Sequence, residues 1–217
     1  GDLTSAERRY AAFDSLAPAQ SQVDHYRRKA KEYTDNATAP YLLGRAYEDQ
    51  GRLAAAEGSY RKAIGLERSM AAAHHSLGRV LQRRNQLNGA VTALEEAVRL
   101  NPEHVEVYND LGQAYHFQRS YDRAIAVYLR AIERDSGVAL VHGNLAMAYA
   151  MAGQLQESAA AFRRSVDLDP AAVDTRDGLA QVLLATGDPG GAEEQWQAVL
   201  RMHPGHPGAR RGLAGLE

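Results

Sequence analysis

The stretch VYNDLGQAYHFQRSYDRAIAVYLRAIERD, residues 107–135, carries two apolar stripes of helical period. Tyr108, Leu111, Gly112 and Tyr115 recur at the spacing of one helix face, and Ala124, Tyr128 and Ala131 repeat that spacing after a polar break. Displaced by 34 residues, the pattern falls on itself. The dipeptide Leu-Gly or Leu-Ala returns as Leu43-Gly44, Leu77-Gly78, Leu111-Gly112, Leu145-Ala146 and Leu179-Ala180. Tyr47, Leu81, Tyr115, Tyr149 and Leu183 follow each pair at a constant offset. Small residues come next (Ala56, Ala90, Ala124, Ser158, Ala192), then large apolar ones (Tyr60, Leu94, Tyr128, Phe162, Trp196). Ala63, Ala97, Ala131, Ser165 and Val199 complete the lattice, and Pro102, Pro170 and Pro204 close three of the units.

This period and order of residue types resembles the tetratricopeptide repeat family, over five units: 37–70, 71–104, 105–138, 139–172 and 173–206. Each unit is expected to be two helices joined by a tight turn. Gly51, Gly153 and Gly187 stand where the chain needs φ > 0, Asn85 takes that place in the second unit, and Arg119 takes it in the third at a cost of about 1 kcal/mol. Such hairpins bury their apolar faces only against one another. The fold class expected is therefore all-α, a right-handed α-solenoid of helix-turn-helix units.

At the N-terminus, residues 2–36 read as a degenerate helical pair or cap. Thr4 and Glu7 form a capping-box start, followed by Tyr10, Phe13 and Leu16; past Pro18, a second stripe runs through Val23, Tyr26, Ala30 and Tyr33. At the C-terminus, Leu213-Ala214 returns to the lattice, so 207–217 is expected to be the first helix of a sixth unit or a capping helix over Trp196. Gly1 in place of Met reads as the start of a mature or excised fragment.

Composition removes several function classes. A net charge of −2 on 217 residues gives no drive toward nucleic acid. No apolar run reaches the roughly 18 residues of a membrane span, and no signal peptide is visible. Without cysteine there is neither disulfide nor thiolate chemistry, and cytoplasm and periplasm are equally compatible.

No catalytic residues or cofactor are expected. His74, Tyr108 and His142 share the fourth position of their units and read as core or hairpin contacts rather than metal ligands. His203 and His206 are spaced H-x-x-H but lack a third ligand nearby. The GDPGG run, 187–191, follows a helix and lacks the lysine of a phosphate loop, so it reads as an interhelical turn.

Function then falls to a surface. At about 100° per residue, unit positions 2, 5, 9, 12 and 13 of the first helices lie opposite the core-facing positions. In the family, this face lines a concave groove where extended peptides often bind. The first units place Arg45, His75, Arg79 and Arg83 there, a cationic patch or, alternatively, a solvated face balanced by Glu48 and Asp49. The third and fourth place Asn109 and Gln113 there, together with Phe117, Leu140, Met147 and Met151, these last four an apolar patch that fits a partner unless the N-terminal helices cover it. The fifth offers Asp174, Asp177, Gln181, Leu184 and Ala185.

Two family sub-patterns are tested by position. The clamp for chaperone C-termini is absent, because Tyr41, Arg45, Ser76, Glu106 and Asp110 occupy its places. Of an asparagine ladder only Asn144 remains, positioned to grip a peptide backbone. The resulting expectation is a non-enzymatic scaffold binding a polypeptide with acidic and apolar residues in the groove, with no nucleic acid, no membrane insertion and no metal. A self-assembling homo-oligomer and a recruiting module of a larger enzyme are the alternatives.

Overall fold

The structure, a computed structural model, describes residues 19–216. Helices account for all of the regular structure among them. Helix α1 is Ala19–Glu32. Five pairs follow: α2 (Thr38–Asp49) with α3 (Leu53–Leu66), α4 (Ala71–Arg83) with α5 (Leu87–Leu100), α6 (Val105–Phe117) with α7 (Tyr121–Arg134), α8 (Ala139–Met151) with α9 (Leu155–Leu168), and α10 (Val173–Ala185) with α11 (Pro189–Met202). Helix α12 is Pro207–Ala214. The fold class is the all-α helical-repeat solenoid. The described residues fall into two compact units, one ending at Val107 and the other beginning at Tyr108.

In the first three pairs, a large side chain of the second helix fills the space beside a glycine on the first. In the unit ending at Val107, a Cβ on Gly44 would stand 2.5 Å from the Tyr60 ring, and one on Gly78 would stand 2.5 Å from Leu94. In the other unit, a Cβ on Gly112 would overlap the Tyr128 ring. Tyr60, Leu94 and Tyr128 are accordingly almost or fully buried. The fourth and fifth pairs vary the device. Ala146 and Ala180 replace glycine, and the Phe162 and Trp196 rings lie instead against glycines of the following helix, Gly178 of α10 and Gly212 of α12. Two serines replace alanine on α9 without leaving a buried hydroxyl unpaired, since Ser158 donates to the Ala146 carbonyl and Ser165 to that of Ala139, each at 2.8 Å.

All five intra-pair turns are built alike. The residue expected to need φ > 0 has it: Gly51, Asn85, Arg119, Gly153 and Gly187 lie between 57° and 84°. The next residue's N–H returns to a carbonyl five residues back, as from Arg52 to Tyr47 at 2.8 Å and from Ser120 to Tyr115 at 2.9 Å. This is the bond that closes a helix through a left-handed residue. Only the last pair adds a side-chain cap: Asp188 accepts from the Gly191 N–H at 2.9 Å, with Pro189 opening α11.

At the ends, α1 packs on α2 through buried Val23, Tyr26 and Ala30. Tyr33 departs from the expected stripe: it lies past the last residue of α1 and is 44% exposed, with the Lys29 ammonium 4.9 Å from its ring centre. The expected capping box at Thr4 and Glu7 and the stripe through Tyr10, Phe13 and Leu16 lie outside the described residues. Helix α12 covers Trp196, whose indole N–H donates to Asp177 at 2.8 Å.

A glycine-to-alanine change in a helix ordinarily stabilises by about 0.5–1 kcal/mol. Gly58→Ala, with open space around its Cβ position, is expected to follow that rule. Gly112→Ala is expected to reverse it, losing roughly 1–3 kcal/mol to the collision with Tyr128; urea unfolding of the two variants measures the contrast. Arg119→Gly, relieving a left-handed residue, is expected to raise stability by about 1 kcal/mol in the same assay.

Candidate functional site

In the unit ending at Val107, Arg45, His75 and Arg79 line a cleft of about 380 Å³ with Tyr41, Glu48, His104 and Glu106. The expected cationic patch is not a free one. Glu48, its side chain 12% exposed, accepts from Arg79 at 3.4 Å and from Arg83 at 3.3 Å, and its other oxygen accepts from the Tyr60 hydroxyl at 2.9 Å. Burial and the Glu48 carboxylate both push the Tyr60 phenol far above its ordinary range, so it stays a donor. Two arginines therefore share one anchored carboxylate, and the net positive charge is smaller than three arginines suggest. The balancing alternative named Glu48 and Asp49; Glu48 is the one engaged.

The unit beginning at Tyr108 holds the other candidates. Asn109 was expected to be free of the core, yet it is buried, its amide oxygen accepting from Asn144 Nδ2 at 2.8 Å. This pairing occupies an Asn144 donor expected to grip a peptide and leaves Asn109 a packing residue. Gln113 is half-buried. Phe117, Leu140, Met147 and Met151 are exposed by 50–60%, more than apolar side chains of this size ordinarily are in a folded chain.

Between α8 and α10 lies a cleft of about 670 Å³. Gly143 of α8 and Gly178 of α10 are among its lining residues; a Cβ on Gly143 would stand 3.3 Å from the Ser165 hydroxyl, and one on Gly178 would stand 2.8 Å from the Phe162 ring. One wall carries Leu140, Met147, Ala150 and Met151, and the other carries Asp174, Asp177, Gln181 and Val182. His116 and Asn144 border it, whereas Phe117 lies outside it. Asp177 is pinned: one oxygen accepts from Trp196 Nε1 and the other from Gln181 Nε2, each at 2.8 Å. Asp174 is exposed.

Tetratricopeptide repeat family models match residues 75–139, 117–173 and 178–217, and another matches 37–70. The chain belongs to the tetratricopeptide repeat (TPR) family. Among solved structures, it is similar to YrrB, a TPR protein described as having an unusual peptide-binding site (20% identity, TM-score 0.75, covering 87% of this chain and 97% of that one). It is similar also to MamA from Desulfovibrio magneticus RS-1 (19%, 0.73, 79% and 97%) and to the C-terminal part of a TPR protein from Cytophaga hutchinsonii (17%, 0.75, 95% and 85%). Comparison with curated protein sequences finds no match.

The TPR lattice also explains the histidines. Fourth-position residues are engaged in contacts of the repeat itself: Tyr108 is fully buried, and His142 and His74 each place Nε2 3.0 Å from a carbonyl at the end of the preceding unit, of Ser136 and Arg68. His206 accepts from the Ala209 N–H at 3.2 Å and caps α12, so this ring nitrogen is already engaged. Asp174 and Asp177 were legible as free-face positions of the fifth TPR unit. Their meaning appears only once they stand across a cleft from Leu140 and Met147.

His116 lies edge-on to Tyr121 and Phe117, ring centres 5.4 and 6.1 Å away. Burial lowers its pKa below the ordinary 6.5. The unfolded chain then takes up the proton at a higher pH than the folded one, so this contribution to stability is complete above pH 6.5 and is lost as pH falls through the folded value. In thermal melts, His116→Gln is expected to show a smaller loss of Tm on acidification than the unmodified chain.

Proposed function

We propose that this TPR chain is a non-enzymatic protein-interaction scaffold that holds a polypeptide segment against the free faces of its first helices, with the cleft between α8 and α10 as the principal docking face. The observation carrying this reading is the three large apolar side chains, Leu140, Met147 and Met151, standing 50–60% exposed along one wall of a preformed cleft. Exposed apolar wall of this kind is ordinarily covered in use, and unbranched methionine adapts to differently shaped occupants. Tetratricopeptide repeats are interaction modules, which agrees with this reading. The Arg45 side of the other unit is a weaker candidate, since Glu48 already engages two of its arginines.

Affinity capture from the source organism's lysate, with mass spectrometry, tests it. A Met147→Asp/Met151→Asp bait with unchanged helicity is expected to lose a partner that the unmodified chain retains, and an Arg79→Glu/Arg83→Glu bait is expected to keep it. A partner kept by the methionine variant and lost with the arginine variant would overturn the choice of face. Recovery of the chain alone, with concentration-dependent mass in light scattering, would replace the scaffold reading with self-assembly.

A further inference from the structure

Resting on the cleft between α8 and α10 as the docking face, we infer that its occupant is a polypeptide segment carrying an apolar side chain with a lysine or arginine close beside it. The two walls differ in chemistry. The α8 wall is apolar through Leu140, Met147 and Met151, whereas the α10 wall presents Asp174 and Asp177 one turn apart on the same helix face. Among the described residues, no lysine or arginine lines the cleft. Arg176, though it follows Asp174 by two residues, is held elsewhere, donating to the Pro170 carbonyl at 2.9 Å and to Gln195 at 2.8 Å. The remaining titratable lining group among the described residues is His116, which burial keeps neutral at neutral pH.

The two carboxylates divide the task. Asp177 receives its hydrogen bonds from Trp196 and Gln181, both neutral donors that fix its orientation without cancelling its charge. Asp174 is exposed at the rim. An apolar side chain entering against Met147 would displace water from the cleft, which strengthens the attraction between these carboxylates and a neighbouring cation. An acidic segment meets repulsion from the same wall, so the cleft discriminates by charge as well as by shape.

The test is selection of a random dodecapeptide display library on the 217-residue chain, followed by anisotropy measurements on the synthesised winners. Expected winners carry Lys or Arg within a few residues of Leu, Met or Phe. Asp174→Lys is expected to weaken them by roughly tenfold, and replacing the peptide's basic residue with Glu is expected to restore binding to that variant. Met147→Asp is expected to abolish binding, with thermal melts showing both variants folded. Winners lost with Met147→Asp but indifferent to Asp174→Lys, or lacking basic residues, would overturn the charge inference while leaving the docking face standing. Winners indifferent to Met147→Asp, or no winners at all, would overturn both. Self-association of the chain abolished by Met147→Asp would show a second copy to be the occupant and overturn the inference of a separate basic partner.

Discussion

Gly112 carries no side chain because the Tyr128 ring occupies the place where one would be. The same relation holds within the pairs of Gly44 and Tyr60 and of Gly78 and Leu94, and between successive helices at Gly178 and Phe162 and at Gly212 and Trp196. Two helices can approach closely only if one gives up volume where the other supplies it, and interiors packed to crystal density leave little room to compromise. Once that contact is set in a pair, the remaining features follow. The turn between its helices must be short, which calls for a left-handed residue, and the small residues at Ala56, Ala90, Ala124 and Ser158 must stay small. What points away from the contact on the first helix is left to the solvent or to a partner.

The contact also explains how the surface was freed to specialise. Because the lattice positions carry the packing, the intervening ones can change without unfolding the pair. In the unit ending at Val107 they carry ions: Glu48, anchored by Tyr60, gathers Arg79 and Arg83. In the unit beginning at Tyr108 they carry Leu140, Met147 and Met151 opposite Asp174 and Asp177. The α8–α10 cleft is lined in part by Gly143 and Gly178, and the second of these covers Phe162.

Much of the fold was legible in the order of residue types along the chain. A period of 34 residues is a one-dimensional signal, and helix geometry converts it directly into faces. The left-handed positions were legible for the same reason, since five turns in equivalent places must share one backbone, and Arg119 adopts it despite its side chain. Exposure of Met147 and Met151 followed from helical phase alone.

Phase within one helix does not say what stands across from a residue on another. Asn109 lies on the expected face of α6, yet Asn144, 35 residues later, closes over it. Three arginines have the spacing of a free cationic patch, but Glu48 holds two of them. Asp174 and Asp177 have the phase of ordinary solvated acids, but they form the wall opposite an apolar one. The repeat, its turns and its inward and outward faces were determined by the sequence, because each depends on neighbours within a single hairpin. Which outward residues are spent on one another and which remain for a partner was decided by the tertiary structure, because that depends on how far side chains reach between helices.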